Sequence, residues 1–394
     1  MIKKQAGFTL VELMVTMVIF VLVIAAASSM FTGILNQFKQ QSKIAETNIE
    51  GVVGLQMLRT DIEQAGYGLP YDLDGLTYTE STAAPASAYN DSAFTPPVPR
   101  AFVASDDDGV NDSDVLVIKA TSVATNAAAH KWAYISNIGA SNIMRSWQGV
   151  TGSDIADENL VNGDRVIVLR PVIGSNQQVL VNNGGTFFTQ FYPLTGGTTF
   201  STNFQPLANS FETYIIYGIN VNTDPIRPFN RADYYISSSN VPSRCALNTG
   251  VLIKSVINHD ADGTRGGGLP LLDCVADMQV AVSLDMNEDG TPGTVSSPQG
   301  VLLTSTEGAT ATTVQETLDD ASLLRKRLKN VRVYVLAHEG QKDTFYTYPN
   351  ATINLEDQEL GVLKAFDLST VIGSTYANYR WKVYTMVIKP FNLR

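Results

Sequence analysis

The chain has 394 residues, with 27 basic and 38 acidic side chains and a net charge of −11. An apolar fraction of 44% excludes a disordered chain, and the acidic balance argues against a binder of nucleic-acid backbones. Two cysteines exclude a disulfide-dense scaffold and a zinc site of four thiolates, and the charged fraction of 16% is low for a soluble protein.

Residues 1–7, Met-Ile-Lys-Lys-Gln-Ala-Gly, form a short polar leader. From Phe8 to Met30 the chain is predominantly apolar with Glu12 its one charge, and the 26 residues between Glu12 and Lys39 carry no charge. A run of this length spans a bilayer core as a helix. The leader lysines predict a cytoplasmic N-terminus, with the rest of the chain in the periplasm or outside. Glu12 is costly in lipid, needs a partner and points to a function. Cleavage after Gly7 would place a new ammonium at Phe8 one helical turn from Glu12, where it, or the same group of a neighbouring subunit, neutralises the carboxylate. A secretory signal cut near Ala25-Ala26-Ala27 and a plain signal anchor are the competing readings. The early charge disfavours the secretory signal, as does helical periodicity that continues past Ala27.

Phe31, Leu35, Phe38, Ala45, Ile49, Val52, Leu55, Leu58, Ile62 and Ala65 recur at steps of three, four and seven. This stripe predicts one helix over 8–65, stopped by Gly66-Tyr67-Gly68-Leu69-Pro70. Gly33, Gly51 and Gly54 weaken it and mark candidate bends. Beyond Tyr67, β-like runs lie at 115–119, 165–172, 187–192, 213–221, 232–237, 251–257, 275–284, 331–337 and 380–389. Residues 74–100, rich in Ala, Ser, Thr and Pro, read as a loop or an ordered wrap. Residues 286–312 read as a second long loop, and 318–328 as a short helix.

No catalytic constellation emerges. His130, His259 and His338 lack metal-ligand spacing, and phosphate-cradling and nucleophile-elbow motifs are absent. Asp285, Asn287 and Asp289 before Gly290, and Asn258, Asp260 and Asp262 before Gly263, have the oxygen spacing of calcium loops. Both lack the bidentate acid at position 12, so an Asx-rich turn is the favoured reading. The acidic stretch 106–114 is a weaker case, a solvated loop. Cys245 and Cys274 permit a disulfide if exported, and two separate buried thiols are the alternative. Arg325, Lys326, Arg327 and Lys329 form the only basic cluster, read as a helix face.

Gly7-Phe8-Thr9-Leu10-Val11-Glu12, with its lysine leader and apolar run, resembles the type IV prepilin cleavage and methylation motif. The resemblance implies that a prepilin peptidase cuts between Gly7 and Phe8 and N-methylates Phe8, and that Glu12 supports assembly into a filament. Leu58-Arg-Thr-Asp61-Ile-Glu-Gln-Ala65-Gly66-Tyr67 is similar to the helix end of PilW-type minor pilins. The stretches 269–280, 285–290, 329–335 and 389–394 resemble later parts of that family, whereas 120–250 resembles none and reads as an insertion or second subdomain.

The fold class expected is α+β and pilin-like, with a leader (1–7), a long helix (8–66) and a large β-rich head (67–394). The expected role is a minor pilin, not an enzyme, in the initiating or tip complex of a type IV pilus. A minor pseudopilin of a type II secretion system and a pilus-tip adhesin are alternatives. Implied partners are prepilin peptidase, other minor and major pilins, the inner-membrane assembly platform and membrane lipid, without nucleic acid. Apart from the calcium candidates, no cofactor is expected. The implied location is the inner membrane, single-pass with a periplasmic head, and then the extracellular pilus. By segment, the helix carries three basic and five acidic residues and the head 22 and 33, so the charge of −11 resides in the head.

Overall fold

The computed structural model describes residues 9–394 except 93, 95, 140, 149–157, 176, 195–196, 261, 291–292, 296–310, 358–360 and 394. Gly7, Phe8 and the leader lie outside these residues. The first element, α1 (Leu10–Glu63), is one unbroken helix of 54 residues, about 81 Å long at 1.5 Å per residue. It ends where the sequence places the stop. Gly66 has φ +83°, and a Cβ there would lie 2.8 Å from Leu393 Cδ2. The C-terminal tail returns to this end, with Phe391 N–H donating to the Glu63 carbonyl.

Among the described residues, sixteen strands follow. They are β1 (Phe102–Ala104), β2 (Leu116–Ala120), β3 (Trp132–Ile138), β4 (Ser141–Arg145), β5 (Arg165–Pro171), β6 (Gln178–Leu180), β7 (Phe188–Gln190) and β8 (Thr213–Asn220). The remainder are β9 (Asn230–Ser237), β10 (Gly250–Val256), β11 (Leu269–Leu284), β12 (Gly293–Val295), β13 (Leu328–Glu339), β14 (Thr352–Asp357), β15 (Gly361–Asp367) and β16 (Arg380–Ile388). The expected α+β class is observed, a long N-terminal helix on a β-rich head.

The main sheet has the order β1-β2-β9-β10-β11-β13-β16, with β12 also on β11, and every pairing is antiparallel. One face receives the second half of α1, so Leu55, Leu58 and Ile62 join Val275, Met278, Val333 and Val335 in one core. The β14–β15 hairpin lies over the other face, where Tyr334, Leu336 and Trp381 pack with Ile353, Leu355 and Phe366. Strand β13 is thus covered on both sides, which explains its unbroken burial from Val331 to His338.

A second sheet, β4-β3-β8-β5-β6 with β7 on β5, is built wholly from residues 132–220. It enters the chain between β2 and β9, which are themselves paired from Leu116↔Tyr234 to Ala120↔Asn230. One face encloses Ile135, Val168, Phe200, Phe204 and Ile216. Ile167, Leu169, Tyr217 and Ile219 share the main core.

The basic cluster and its helix differ from expectation. Two helices occupy the region, α2 (Ala311–Asp319) and α3 (Ala321–Arg327). Asp320 separates them by accepting the Ser322 and Leu323 N–H groups as an N-cap. The basic residues do not share a face. Arg325 is buried, donates to the Pro70 carbonyl at 2.7 Å and stacks over Tyr71, while Arg327 pairs with Glu288 and Lys329 with Asp285. A fourth helix, α4 (Leu368–Val371), is capped by Asp367.

Candidate functional site

The start of α1 is fixed by a capping box. Thr9 Oγ1 accepts the Glu12 N–H at 3.3 Å, while the Glu12 carboxylate accepts the Thr9 N–H at 2.9 Å and its hydroxyl at 2.8 Å. Glu12 is therefore hydrogen-bonded within its own chain, at the start of a helix whose side chains face outward. Leu10 to Lys39 are exposed throughout, including Phe20 at 66% and Phe38 at 68%. That segment is long and apolar enough to cross a membrane.

Burial begins at Thr47 and continues through Gly51, Gly54, Leu55, Leu58, Asp61 and Ile62. The two glycines are contact residues rather than bends. A Cβ on Gly54 would meet the Leu271 carbonyl oxygen at 1.8 Å, and one on Gly51 would meet Leu272 Cδ1 at 3.0 Å. The helix thus approaches the β11 backbone more closely than any side chain allows. Gly33, where nothing lies within 4 Å, has no such role. Further along, buried Asp61 accepts from both Tyr234 Oη and Lys254 Nζ at 2.6 Å, fixing the helix end to β9 and β10. At the near end, Arg244 bridges Glu50 and Asp273, each at 2.7 Å. On its outer side this half still exposes Ile49 at 67%, Val52 at 66% and Val53 at 63%. Ile49 and Val53 border a groove of about 490 Å³ that also includes Leu269 and Pro270.

Cys245 and Cys274 form a disulfide, with Cα atoms 4.9 Å apart. It ties the segment before β10 to β11, beside the Arg244 bridge to α1.

The oxygen atoms of the two calcium-like stretches lie in turns. Asp285 accepts the Asp289 N–H with Oδ1 and the Gly290 N–H with Oδ2, and Lys329 Nζ lies 3.4 Å from Oδ2. Asn287 Oδ1 also accepts the Asp289 N–H, and its Nδ2 donates to Asp289. In the other stretch Asp260 accepts the Thr264 N–H and hydroxyl, Asn258 Nδ2 reaches the Thr264 hydroxyl, and the Asp262 carbonyl receives Thr82. These bonds have the Asx-turn pattern. The third acidic stretch, 106–114, is not a solvated loop throughout. Its Asn111 and Asp112 carbonyls accept from Lys364 Nζ, which also lies 3.5 Å from Asp277 and 3.8 Å from Asp107. Asp114, Asp106 and Asp107 bring carboxylate oxygens within 4.8 Å of one another. Burial raises Asp114 to about 8, although two backbone N–H groups oppose the shift, and raises Asp277 to about 6.

The histidines lie apart. Buried His338 accepts the Ala246 N–H through Nε2 and packs on Tyr379 and Trp381, and buried His259 bonds Asn230.

Sequence reasoning missed a buried ionic network. Lys119 Nζ contacts Glu80 at 2.8 Å and Asp91 at 2.6 Å, all fully buried. Arg231 pairs with Glu80 and Asp233, Arg100 with Asp91 and Asp319, and Arg265 with Asp233. Arg227 donates to the carbonyls of Glu80, Ile257 and Asn258, and burial lowers its guanidinium to about 10. Burial pushes Asp91 up, but Lys119 and Arg100 outweigh it and hold the carboxyl below its ordinary value. The charged residues of 80–100 gave the only signal, since such side chains in a small-residue segment need partners.

Residues 2–28 match the prokaryotic N-terminal methylation motif. No curated protein and no solved structure matches the chain. The match supports a type IV prepilin-like protein, and the exposed apolar start of α1 fits its anchoring in a membrane.

Proposed function

We propose that the chain is a minor type IV pilin of the PilW type. Prepilin peptidase cleaves it between Gly7 and Phe8 and methylates Phe8. The assembly platform of the inner membrane then builds it, with other minor and major pilins, into the initiating or tip complex of a pilus. Its role is structural rather than catalytic. The N-terminus faces the cytoplasm and the head the periplasm until the subunit enters the filament.

The observation that carries this reading is a methylation motif opening a helix whose first 30 residues bury nothing against their own chain. Exposed apolar surface on that scale requires a partner. Lipid fits before assembly. Above the span, Ile49, Val52 and Val53 remain exposed beside an apolar groove, which favours a neighbouring helix after it. Glu12, now bonded to Thr9, would exchange that partner for an N-terminal ammonium within the filament.

Sequencing the mature N-terminus tests the reading. A methylated Phe8 is the expected start, and a start at Ser28 would overturn it. Glu12→Ala should still be cleaved but be depleted from purified fibres, and wild-type levels there would refute the role of Glu12.

The inserted sheet favours a second, compatible reading as a tip-binding module. Its segment exposes Ile173 at 91%, Leu207 at 75% and Phe211 at 75%. Serine at these three positions should leave pilus number unchanged and reduce attachment. Unchanged attachment would remove this reading.

A further inference from the structure

The loop after β13 holds a large apolar side chain rigidly in the open. Phe345 is 97% exposed, the highest value of any large apolar side chain among the described residues. The base of its loop is tightly fixed. Asp343 accepts the Phe345 N–H with Oδ1 at 3.0 Å and pairs with Arg380 through Oδ2 at 2.8 Å. Arg380 in turn stacks 4.3 Å over the Tyr346 ring. The Asp343 N–H donates to the Asn378 carbonyl, Asn378 Nδ2 to the Tyr346 carbonyl, and the Tyr348 N–H to the Ala377 carbonyl. These bonds hold the loop in one conformation while Phe345 touches almost nothing.

The same loop sits on α1 where the helix leaves its charge-free run. Gln40 Nε2 donates to the Lys342 carbonyl at 3.3 Å, and Gly340, with φ +71°, approaches Ile44 so closely that a Cβ would lie 3.0 Å from its Cγ1. From Leu13 to Gln40 the helix rises about 40 Å, against a bilayer thickness of about 40–45 Å including headgroups. With Leu13, the first residue of the charge-free run, at the inner headgroups, the loop is level with the outer ones. Aromatic side chains concentrate at that depth, and exposed Lys39 and Lys342 flank it with positive charge.

We propose that residues 341–348 form a second membrane contact, in which Phe345 enters the outer-leaflet headgroup boundary and Lys39 and Lys342 face lipid phosphates. The contact would fix the height and tilt of the head before assembly, and it is released when the subunit is extracted into a filament. The proposal rests on the reading of α1 as membrane-spanning, and its test separates the two.

The test uses full-length protein, with its native disulfide intact, in vesicles of phosphatidylethanolamine and phosphatidylglycerol. A nitroxide is attached in turn to Phe345→Cys, Val23→Cys and Leu207→Cys. Power saturation then compares access to oxygen with access to a water-soluble nickel chelate. Exposed Phe345 contributes no core packing, so its replacement leaves the fold intact. The expected result is a Phe345 position intermediate between lipid-embedded Val23 and aqueous Leu207, with nickel access largely lost. If Val23 lies in lipid while position 345 matches Leu207, the contact is refuted and the span stands. A label at 345 shielded from both reagents would refute it in favour of protein contact. An aqueous Val23 would overturn the span and the proposal together.

Discussion

Alanine at the three helix glycines separates close packing from helix bending. At Gly54 the new Cβ would lie 1.8 Å from the Leu271 oxygen, 2.5 Å from its carbonyl carbon and 2.7 Å from its Cα. All three are backbone atoms of β11, so no rotamer change relieves the clash, and the helix must move outward by about 1.5 Å to reach ordinary contact. Overpacking of this kind costs roughly 1–3 kcal/mol, and a rigid backbone partner places Gly54→Ala at the upper end. Helix propensity returns about 1 kcal/mol. The net loss is about 2 kcal/mol, or a fall in Tm of about 4 °C at 2 °C per kcal/mol for a large domain. Gly51→Ala is tight only against Leu272 Cδ1 at 3.0 Å, a side-chain end that can swing aside, with Tyr384 Oη at an ordinary 3.7 Å, so its Tm should change little. Gly33→Ala meets nothing and should leave the head unchanged. Thermal unfolding of full-length protein in detergent, followed by tryptophan fluorescence, measures the series. A Gly54→Ala variant melting at or above wild type would refute close packing as the reason for that glycine.

Asp61→Asn leaves Lys254 buried without its counter-charge and should cost roughly 3–5 kcal/mol in urea unfolding, most of it recovered by adding Lys254→Met. Burial raises Asp114 to about 8, so the protonated form stabilises the fold. That stability is complete below the unfolded carboxyl value near 4 and is lost as pH rises to about 8, so Asp114→Asn should flatten the decline in Tm across this window. Removing the disulfide with Cys245→Ala and Cys274→Ala should lower stability by about 3–4 kcal/mol for a closed loop of this size, read from the guanidinium midpoint. Millimolar calcium should leave Tm unchanged, because the carboxylates of Asp285 and Asp260 already accept N–H donors in their turns; a rise would restore the ion-site reading.

The helix was legible because its signals are local. A 3.6-residue stripe, a proline-free run and the Gly66 stop need no tertiary knowledge, and the observed Leu10–Glu63 follows them within two residues at each end. Strands with long apolar runs, such as β5, β11 and β13, were legible for the same reason, although β11 begins six residues earlier than expected, at Leu269. The β3–β4 pair was missed. Its run carries Ser136 and Asn137, which have little strand preference, yet Asn137 is buried and donates to Asn142 across the pair. The β14–β15 hairpin was missed because its alternating runs are short and few of their residues are apolar: Ile353, Leu355 and Phe366 are buried, with Leu363 packed against them. Gly51 and Gly54 were visible as weak points of a helix, but their purpose depends on β11, more than 200 residues away.

The ionic network is illegible for a deeper reason, which also bears on the charge of the chain. Residues 74–100 contain few large apolar anchors, chiefly Leu76, Tyr78 and Tyr89. An apolar surface that sparse leaves several ways for the segment to lie along the sheet. Glu80, Asp91 and Arg100 remove that freedom, because each must meet Lys119 on β2, Arg231 on β9 or Asp319 at the end of α2. Desolvation offsets much of the attraction in such pairs, so their contribution to net stability is small. Misplacing the segment, however, would bury charges without partners, which is strongly unfavourable. The network therefore specifies position more than it adds stability. It also bridges β2 and β9, the strands between which the second sheet enters, and so holds the main sheet closed across the insertion. The negative charge of the head consequently overstates how acidic its interior chemistry is. Lys119, Arg227, Arg231 and Lys254 are all buried beside carboxylates or carbonyls, which leaves the acidic excess to the surface.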